Sequence, residues 1–550
     1  MSESALDADV LVVGAGPTGL VLALWLSRMG VRVRVIDKTA EPGTTSRALA
    51  VQARTLEQYA QLGLAEALIE RGLKMTAANL WVAGRKVARA PLGDMGAGIS
   101  PFPFALIYPQ DEHERLLIEH LHAAGVAIER RTELLGFADE GDRIRAVLRR
   151  PDGTEEPCAA AYLAGCDGAH SRVRELLRTG FPGGTYAHLF YVADVEASGP
   201  VMNRELHIAL DAADFLGVFP LKHPGRVRLI GTVRAAAEGK QEPAWADVSK
   251  SIVERMRISV ERVNWFSTYH VHHRVAHEFR EGRAFLLGDA AHIHSPVGGQ
   301  GMNTGIGDAI NLAWKLAAVM RGAADPQLLD SYGPERIGFA RRLVATTDRA
   351  FTFVTRDGSI ARFIRRYVVP RVIPAAFAFR AFRRLMFRTI SQTVISYRNC
   401  SLAQGVAGHV HGGDRLPWIV LDPASARYHD NFAPLTALDW QVHVYGEPSS
   451  ELVHLCRQRH LSLHRFDWRA EMQRAGLARD ASYLIRPDGY VALADRSATA
   501  ARLQSYLDAR NLRPLAAARA PASPPLAAVP SAAAGQSAEP DATRNGLADR

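Results

Sequence analysis

Four cysteines in 550 residues, Cys158, Cys166, Cys400 and Cys456, are too few and too scattered for a disulfide framework, a Cys-x-x-Cys redox pair or a zinc site. A reducing compartment fits that usage. Long apolar runs are also missing: nothing approaches the roughly 20 residues of a membrane-spanning helix, and the opening residues lack the features of a secretory leader. A cytoplasmic location is the expectation, with no transmembrane segment. The net charge of +9 raises the question of nucleic acid, but the arginines gather in one stretch, Arg362 to Arg388, among aliphatic and aromatic residues rather than in a binding motif. No nucleic-acid partner is expected. Pro370 and Pro374 break any long helix there, so the stretch reads as chain packed against the body of the protein rather than laid on a membrane.

What is present can fill real cores, since 47% of the residues are hydrophobic and the length suits two or three domains. An apolar run from Asp9, a glycine-rich turn, a helical run from Leu20 to Met29 and a second apolar run ending at Asp37 read as a βαβ unit, and that order demands a parallel sheet. Mixed patterns continue to about Asn399. Residues 400–511 read as a separate α/β module with a hairpin, Tyr483 to Leu493, turning at Pro487-Asp488-Gly489. Residues 512–550 are rich in Ala, Pro and Ser, and read as a disordered tail.

Gly14-Ala15-Gly16-Pro17-Thr18-Gly19 is a G-x-G-x-x-G between a strand and a helix. The first glycine permits a tight turn, the second lets backbone approach a pyrophosphate, and the third lets helix and strand pack closely, while the helix N-terminus offers N–H groups to the phosphates. Asp37, with Lys38 beside it, ends the second strand where an acid can accept a ribose 2′-hydroxyl. This motif serves FAD and NAD equally.

A second motif separates the two. Gly288-Asp289-Ala290-Ala291-His292 follows an apolar run and leads to Ser295-Pro296-Val297-Gly298-Gly299-Gln300-Gly301-Met302-Asn303. Here the chain resembles the class A flavoprotein aromatic hydroxylases, the family of para-hydroxybenzoate and phenol hydroxylases. Further matching elements are Asp167-Gly168 in Cys166 to Arg174, Pro109-Gln110 with Glu114, and Ser46-Arg47-Ala48. The resemblance covers residues 9 to 340 in the family's order. It implies non-covalent FAD held by Gly14, Gly16, Pro17, Thr18, Gly19, Asp37, Lys38, Arg47, Gln110, Asp167, Asp289, Pro296, Gly299, Gln300, Gly301, Met302 and Asn303. Arg47 is further implied to act in flavin reduction. A helix starting near Gly301 would present donors and a positive dipole end to the pyrimidine edge of the flavin, where negative charge gathers on reduction.

The same resemblance implies an α/β fold: a Rossmann-like FAD-binding domain over 1–399, with an inserted antiparallel substrate sheet at about 75–108 and 181–277. The module at 400–511 resembles the thioredoxin-like domain of phenol and polyketide hydroxylases, without its Cys-x-x-Cys, and implies a packing or oligomer role such as a homodimer contact. The implied reaction uses NADPH or NADH and O₂, through a flavin C4a-hydroperoxide, to hydroxylate an aromatic substrate. A phenol fits, because its oxygen enriches the ring carbons in electrons. Epoxidation or Baeyer–Villiger insertion on a polyketide is the alternative, and a non-catalytic flavin-binding partner protein the alternative of another class. The Trp-x-Trp-x-Ile-Pro motif of flavin halogenases is absent. His207, Phe215 and Phe219 are the substrate candidates, on strands where alternation turns half the residues away. His270, His272, His273 and His277, with His292 and His294, lack a further ligand at motif spacing, so no metal is expected.

Overall fold

The computed structural model describes residues 6–43, 48–93, 95–210, 215–233, 244–248, 250–295, 298–355, 363–422 and 430–514. Ser46, Arg47, Pro296 and the chain after 514 lie outside the described residues. Leu512 is buried and the Arg513 N–H donates to the Ala323 carbonyl, so packed chain runs slightly past the expected start of the tail.

Strand Ala8–Val13 is apolar on both faces because it is central: it runs parallel to Val33–Asp37 on one side and to Glu155–Gly165 on the other. Ile128–Arg130 and Ala284–Leu286 extend the sheet in parallel, and an antiparallel hairpin, Glu133–Asp139 with Ile144–Arg149, joins through Glu155–Gly165. Helix Pro17–Arg28 follows the first strand, with Pro17 at its start where the missing N–H costs nothing. It packs against the long helix Gly301–Met320.

A second, eight-stranded sheet runs in the order His292–Ile293, Ser259–Val275, Gly183–Ser198, Arg226–Thr232, Phe215–Pro220, Leu206–Leu210, Ala77–Val82, Arg85–Pro91. All its pairings are antiparallel except Leu206–Leu210 with Ala77–Val82. One face carries Leu216, Val218 and Leu229 into a core with Ile252, Val253 and Met256 from the segment of helix Lys250–Arg255. The other turns Phe219 and Leu206 toward Leu49, Met75 and Ile107 of the first layer. The antiparallel sheet is thus covered by a helix on one face and by the first layer on the other.

In the third, six-stranded sheet Gln441–Tyr445 lies next to the edge strand Ser462–Phe466, to which it is parallel, and antiparallel to Ser482–Ile485, which pairs in turn with Val491–Asp495. Helix Ser450–Gln458 links the parallel pair and Ala500–Asp508 closes the run. Arg486 and Asp488, in the hairpin turn, are buried against the helices of the first layer.

Candidate active site

The three fingerprint glycines do different work. Gly14 has φ +103°, and a Cβ there would lie 2.4 Å from the Cys166 carbonyl oxygen. A Cβ on Gly19 would lie 2.0 Å from the Gly14 carbonyl, so these two glycines are demanded by the fold. A Cβ on Gly16 would meet nothing within 4 Å, and its φ of −80° suits any residue. Nothing in the protein itself requires glycine at 16, which fits a ligand that must approach the backbone there.

Asp37 accepts the Ala15 N–H at 2.7 Å on one oxygen, and the Thr39 N–H and hydroxyl at 2.8 and 2.6 Å on the other. The acid thus ties the glycine loop to the end of its strand while keeping lone pairs for a sugar hydroxyl. Asp167 accepts the Ser171 hydroxyl and the Val173 N–H; burial raises its pKa. Its carboxylate therefore shapes the turn beside Gly14, and Arg174 carries that turn to the other motif by donating to the Ala169 and Ala290 carbonyls.

Helix Gly301–Met320 opens close to the glycine loop. Its first intrahelical donor is Thr304 to Gln300, which leaves the N–H groups of Gly301, Met302 and Asn303 as the helix-start donors. The two helix N-termini converge because Gly288, Gly305 and Thr18 let them: a Cβ on either glycine would sit within 2.6 Å of the Thr18 hydroxyl. Asn303 plays a part the sequence did not announce. Its amide accepts the Gln52 N–H and the Thr55 hydroxyl and donates to the Ala50 and Gly299 carbonyls, so its side chain is a buried clamp. Gln52 completes the clamp by donating to the Gly298 carbonyl. Gln300 is buried at the helix cap, where its carbonyl accepts from Gln392.

Asp289 stands exposed beside buried Gly288 and Ala290. Its turn is fixed from below by Asp308, which accepts the Gly288 N–H at 3.0 Å, bonds the His292 ring at 2.8 Å and accepts Arg336 at 2.6 Å. Burial alone would raise the Asp308 carboxyl; Arg336 and His292 overcome it and hold the group below its ordinary range. Arg47 and Ser46 lie outside the described residues, but both flanks of their segment are anchored. The Gly43 N–H donates to Glu114 and the Ala48 N–H to Gln110, while Gln110 also donates to Glu114 at 2.8 Å.

The sequence sets His294 among histidines with no metal to hold, and its geometry is more specific. Nδ1 lies 2.8 Å from the Ser295 carbonyl and must donate to it, which leaves Nε2 as a bare acceptor. Nε2 is buried, lacks a partner among the described residues, and lies 3.7 Å from the Cβ position of Gly301. Burial, with His292 nearby, lowers its pKa to about 4, so it is neutral at pH 7. The Ser295 hydroxyl is likewise orphaned. An open approach at Gly16, donors at two helix starts and unfilled polar atoms at Ser295 and His294 together fit a dinucleotide that carries a polar ring system. A His-x-His pair just before a glycine loop was the available signal.

The three substrate candidates do not share a face. Cross-strand register places Phe219 opposite Arg228 and Phe215 beside Thr232, on the face toward the first layer. His207 pairs with Val218 and so belongs to the other face. There it accepts from the Trp81 indole at 3.0 Å and donates to Asn203 at 2.8 Å, and burial lowers its pKa to about 4. Both ring nitrogens are spent on structure, which corrects its assignment to substrate. Among the other histidines, His272 meets the Thr185 hydroxyl and His273 lies against Tyr186.

A model of the FAD binding domain matches residues 7–347. The chain belongs to this FAD-dependent monooxygenase family. Among its relatives, the 6-methylpretetramide 4-monooxygenase of Streptomyces rimosus is 38% identical over 400 residues, covering 72% of this chain and 70% of that protein. The pentachlorophenol 4-monooxygenase of Sphingobium chlorophenolicum is 36% identical over 361 residues, covering 64% and 66%. The solved structure of the anhydrotetracycline hydroxylase OxyS from Streptomyces rimosus superposes with a TM-score of 0.75 at 27% identity, over 92% of this chain and 100% of that one. FAD is the cofactor of this monooxygenase, and the glycine loop, Asp37 and the Gly288–Asn303 segment are where the chain can hold it. Replacing Asp289 by Ala is expected to weaken FAD binding about 10- to 100-fold, as one charged acceptor is worth about 1.5–3 kcal/mol. Titration of the apoprotein by flavin fluorescence measures it, and unchanged affinity would remove Asp289 from the site.

Proposed function

We propose that this monooxygenase hydroxylates a phenolic, fused-ring aromatic compound at the expense of NADPH or NADH and O₂. The observation that supports this most is the sheet face bearing Phe215 and Phe219, which turns away from helix Lys250–Arg255 and toward Leu49, Met75 and Ile107 of the first layer. Phe215 groups with Phe190, Tyr186 and Tyr269, and Phe219 with Leu49, Leu206 and Leu221, so the wall is aromatic and aliphatic. Such a wall binds a flat ring and keeps water from it. The names of the relatives above point the same way, toward a chlorinated phenol and tetracycline-type rings.

Bound FAD supplies electron transfer from the nicotinamide and oxygen activation. The chain's own residues orient and shield. The donors at Gly301 to Asn303 stabilise negative charge at the edge of the ring system, and neutral His294 offers Nε2 to a donor on cofactor or substrate. Arg47, on a segment tethered by Glu114 and Gln110, is proposed to meet cofactor oxygens with a guanidinium that stays charged. Asp167, Lys38, Pro296 and Gln300 complete the proposed cofactor shell. The strand order around Gln441–Tyr445, with a helix between the parallel pair, supports a thioredoxin-like third domain beginning near residue 400. The turn Gly446-Glu447-Pro448-Ser449, ahead of its first helix, carries no cysteine, so the proposed role is packing.

The test is a screen of phenols and aromatic polyketides for substrate-stimulated NADPH and NADH oxidation by the purified FAD-loaded protein, with product structures determined. A product one oxygen heavier, with its ring intact and a new phenolic hydroxyl, is expected. An epoxide or ring-expanded lactone would replace this reading with the alternative oxygenation, and no stimulated turnover on any substrate would overturn it.

A further inference from the structure

Between Asp357 and Asp414 the chain has no acidic residue and nine arginines. Part of this stretch was expected to pack away, and part does: Phe387 is buried, its ring within 2.6 Å of the Cβ position of Gly96. Helix Val369–Ala378 runs along the edge strand Arg85–Pro91, and Pro374 sits inside it without ending it. The break comes at Phe379, whose ψ of 124° turns the chain into helix Arg380–Ile390.

The outward faces are unusual. Six of the eight large exposed hydrophobic residues described in the whole chain lie here: Phe363, Tyr367, Val368, Val372, Phe379 and Leu385. Phe379 is 68% exposed and Leu385 58%. Along the first helix the exposed positions read Val368, Arg371, Val372, Ala375 and Ala378, at helical spacing; along the second they read Arg380, Ala381, Arg384, Leu385 and Arg388. A surface helix ordinarily shows water a polar face. Here the outward stripe is aliphatic and aromatic with arginines in it, and among the described residues no carboxylate lies within ion-pair distance of Arg371, Arg380, Arg384 or Arg388.

We propose that this helix pair is a docking surface for an anionic lipid bilayer, which the two helices meet side-on. Apolar side chains at the kink and on the stripe enter the interface, and arginines reach the phosphates with their aliphatic stems lying along it. Charge complementarity selects this occupant. A second copy would set arginine against arginine across an isologous contact. The segment after residue 514 holds three acidic and three basic residues, so it is no counter-charge. The proposal is independent of the substrate reading.

The experiment is co-sedimentation of the full-length FAD-loaded protein with vesicles of phosphatidylcholine alone and with one third phosphatidylglycerol, at low and high salt. Binding to the anionic vesicles at least tenfold tighter than to the neutral ones is expected, weakening with salt. Phe379→Ser and the pair Arg380→Glu, Arg384→Glu should each reduce it at least tenfold, with flavin absorbance and melting temperature unchanged because these side chains are exposed. Failure of the parent protein to bind anionic vesicles overturns the proposal. So does binding that survives Phe379→Ser, which would make it bulk electrostatics, or light scattering that shows a dimer lost in that variant, which would make the patch a self-contact. Equal competition by a single-stranded polynucleotide would assign it to nucleic acid instead.

Discussion

Gly16→Val is expected to leave the apoprotein folded with its melting temperature unchanged within about 2 °C, and to lower FAD affinity at least 100-fold. The two halves of that result come from different facts. Gly16 lies at φ −80° with nothing within 4 Å of a Cβ, so the polypeptide tolerates a branched side chain there. The pyrophosphate does not, because it must reach the helix N–H groups through the space that the valine methyls take. Gly19→Ala provides the contrast, since its Cβ would sit 2.0 Å from the Gly14 carbonyl and the first strand could not meet its helix. That variant should fail to accumulate as folded protein. FAD normally adds stability in proportion to its occupancy, about 2.7 kcal/mol at 100 times Kd, so Gly16→Val should also lose the upward shift in melting temperature that FAD gives the parent. Calorimetry with and without FAD reads both. Full flavin retention in Gly16→Val would show that the pyrophosphate does not lie on this loop.

How much of this was legible depended on how local each signal was. The βαβ unit, the glycine loop and Asp37 fall within 30 residues, and their chemistry is written in spacing alone. The strands carrying Phe215, Phe219 and His207 were also legible, but the face each side chain takes depends on cross-strand register. One residue of offset, His207 opposite Val218 rather than Phe219, sends the imidazole to the helix-covered side. Asn303 was chosen for its place at a helix start, and nothing nearby showed that its amide is spent on Ala50, Gln52 and Thr55, some 250 residues earlier. The arginine-rich segment gave the opposite outcome: its prolines argued against a long helix and for chain packed on the body, whereas Pro374 is accommodated inside a helix and half of the described large apolar side chains there face outward.

Least legible was the buried ionic network under the site, because its partners come from segments 150 to 430 residues apart. Arg486 donates to both oxygens of Glu335, at 2.7 and 3.0 Å, and to both of Asp488. Glu335 also takes Lys315 and Asn311 at 2.9 and 2.6 Å, and all these groups are within 2% of full burial. Asp488 returns through its carbonyl to Arg54, which pairs with Glu57, and Glu57 is held by Arg415. Next in the chain to Glu335, Arg336 holds Asp308 and hence the turn at Gly288 and Asp289. The hairpin of the third sheet thus supplies Arg486, without which Glu335 would keep Lys315 as its only cation and Asp488 would lose its own. Arg486→Met is therefore expected to destabilise the protein by about 3–5 kcal/mol, the usual cost of stranding a buried charge. Arg486→Lys should recover only part of that, since one ammonium cannot reproduce the two-sided fork. Arg486→Met combined with Glu335→Gln should cost less than the sum of the two, as one of the two carboxylates that lose Arg486 is then neutral. Denaturant unfolding of the four proteins measures this, and additive losses, or a loss below about 1 kcal/mol for Arg486→Met, would sink the idea. The acid limb gives an independent reading. Burial alone would raise the pKa of Glu335, but Arg486 and Lys315 bring it down to about 2 from an ordinary 4.5. A carboxylate depressed on folding contributes stability above its unfolded pKa and loses it as pH falls toward its folded one, so the parent should weaken between about pH 4.5 and 2. Glu335→Gln, less stable at neutral pH, should show a shallower fall across that window.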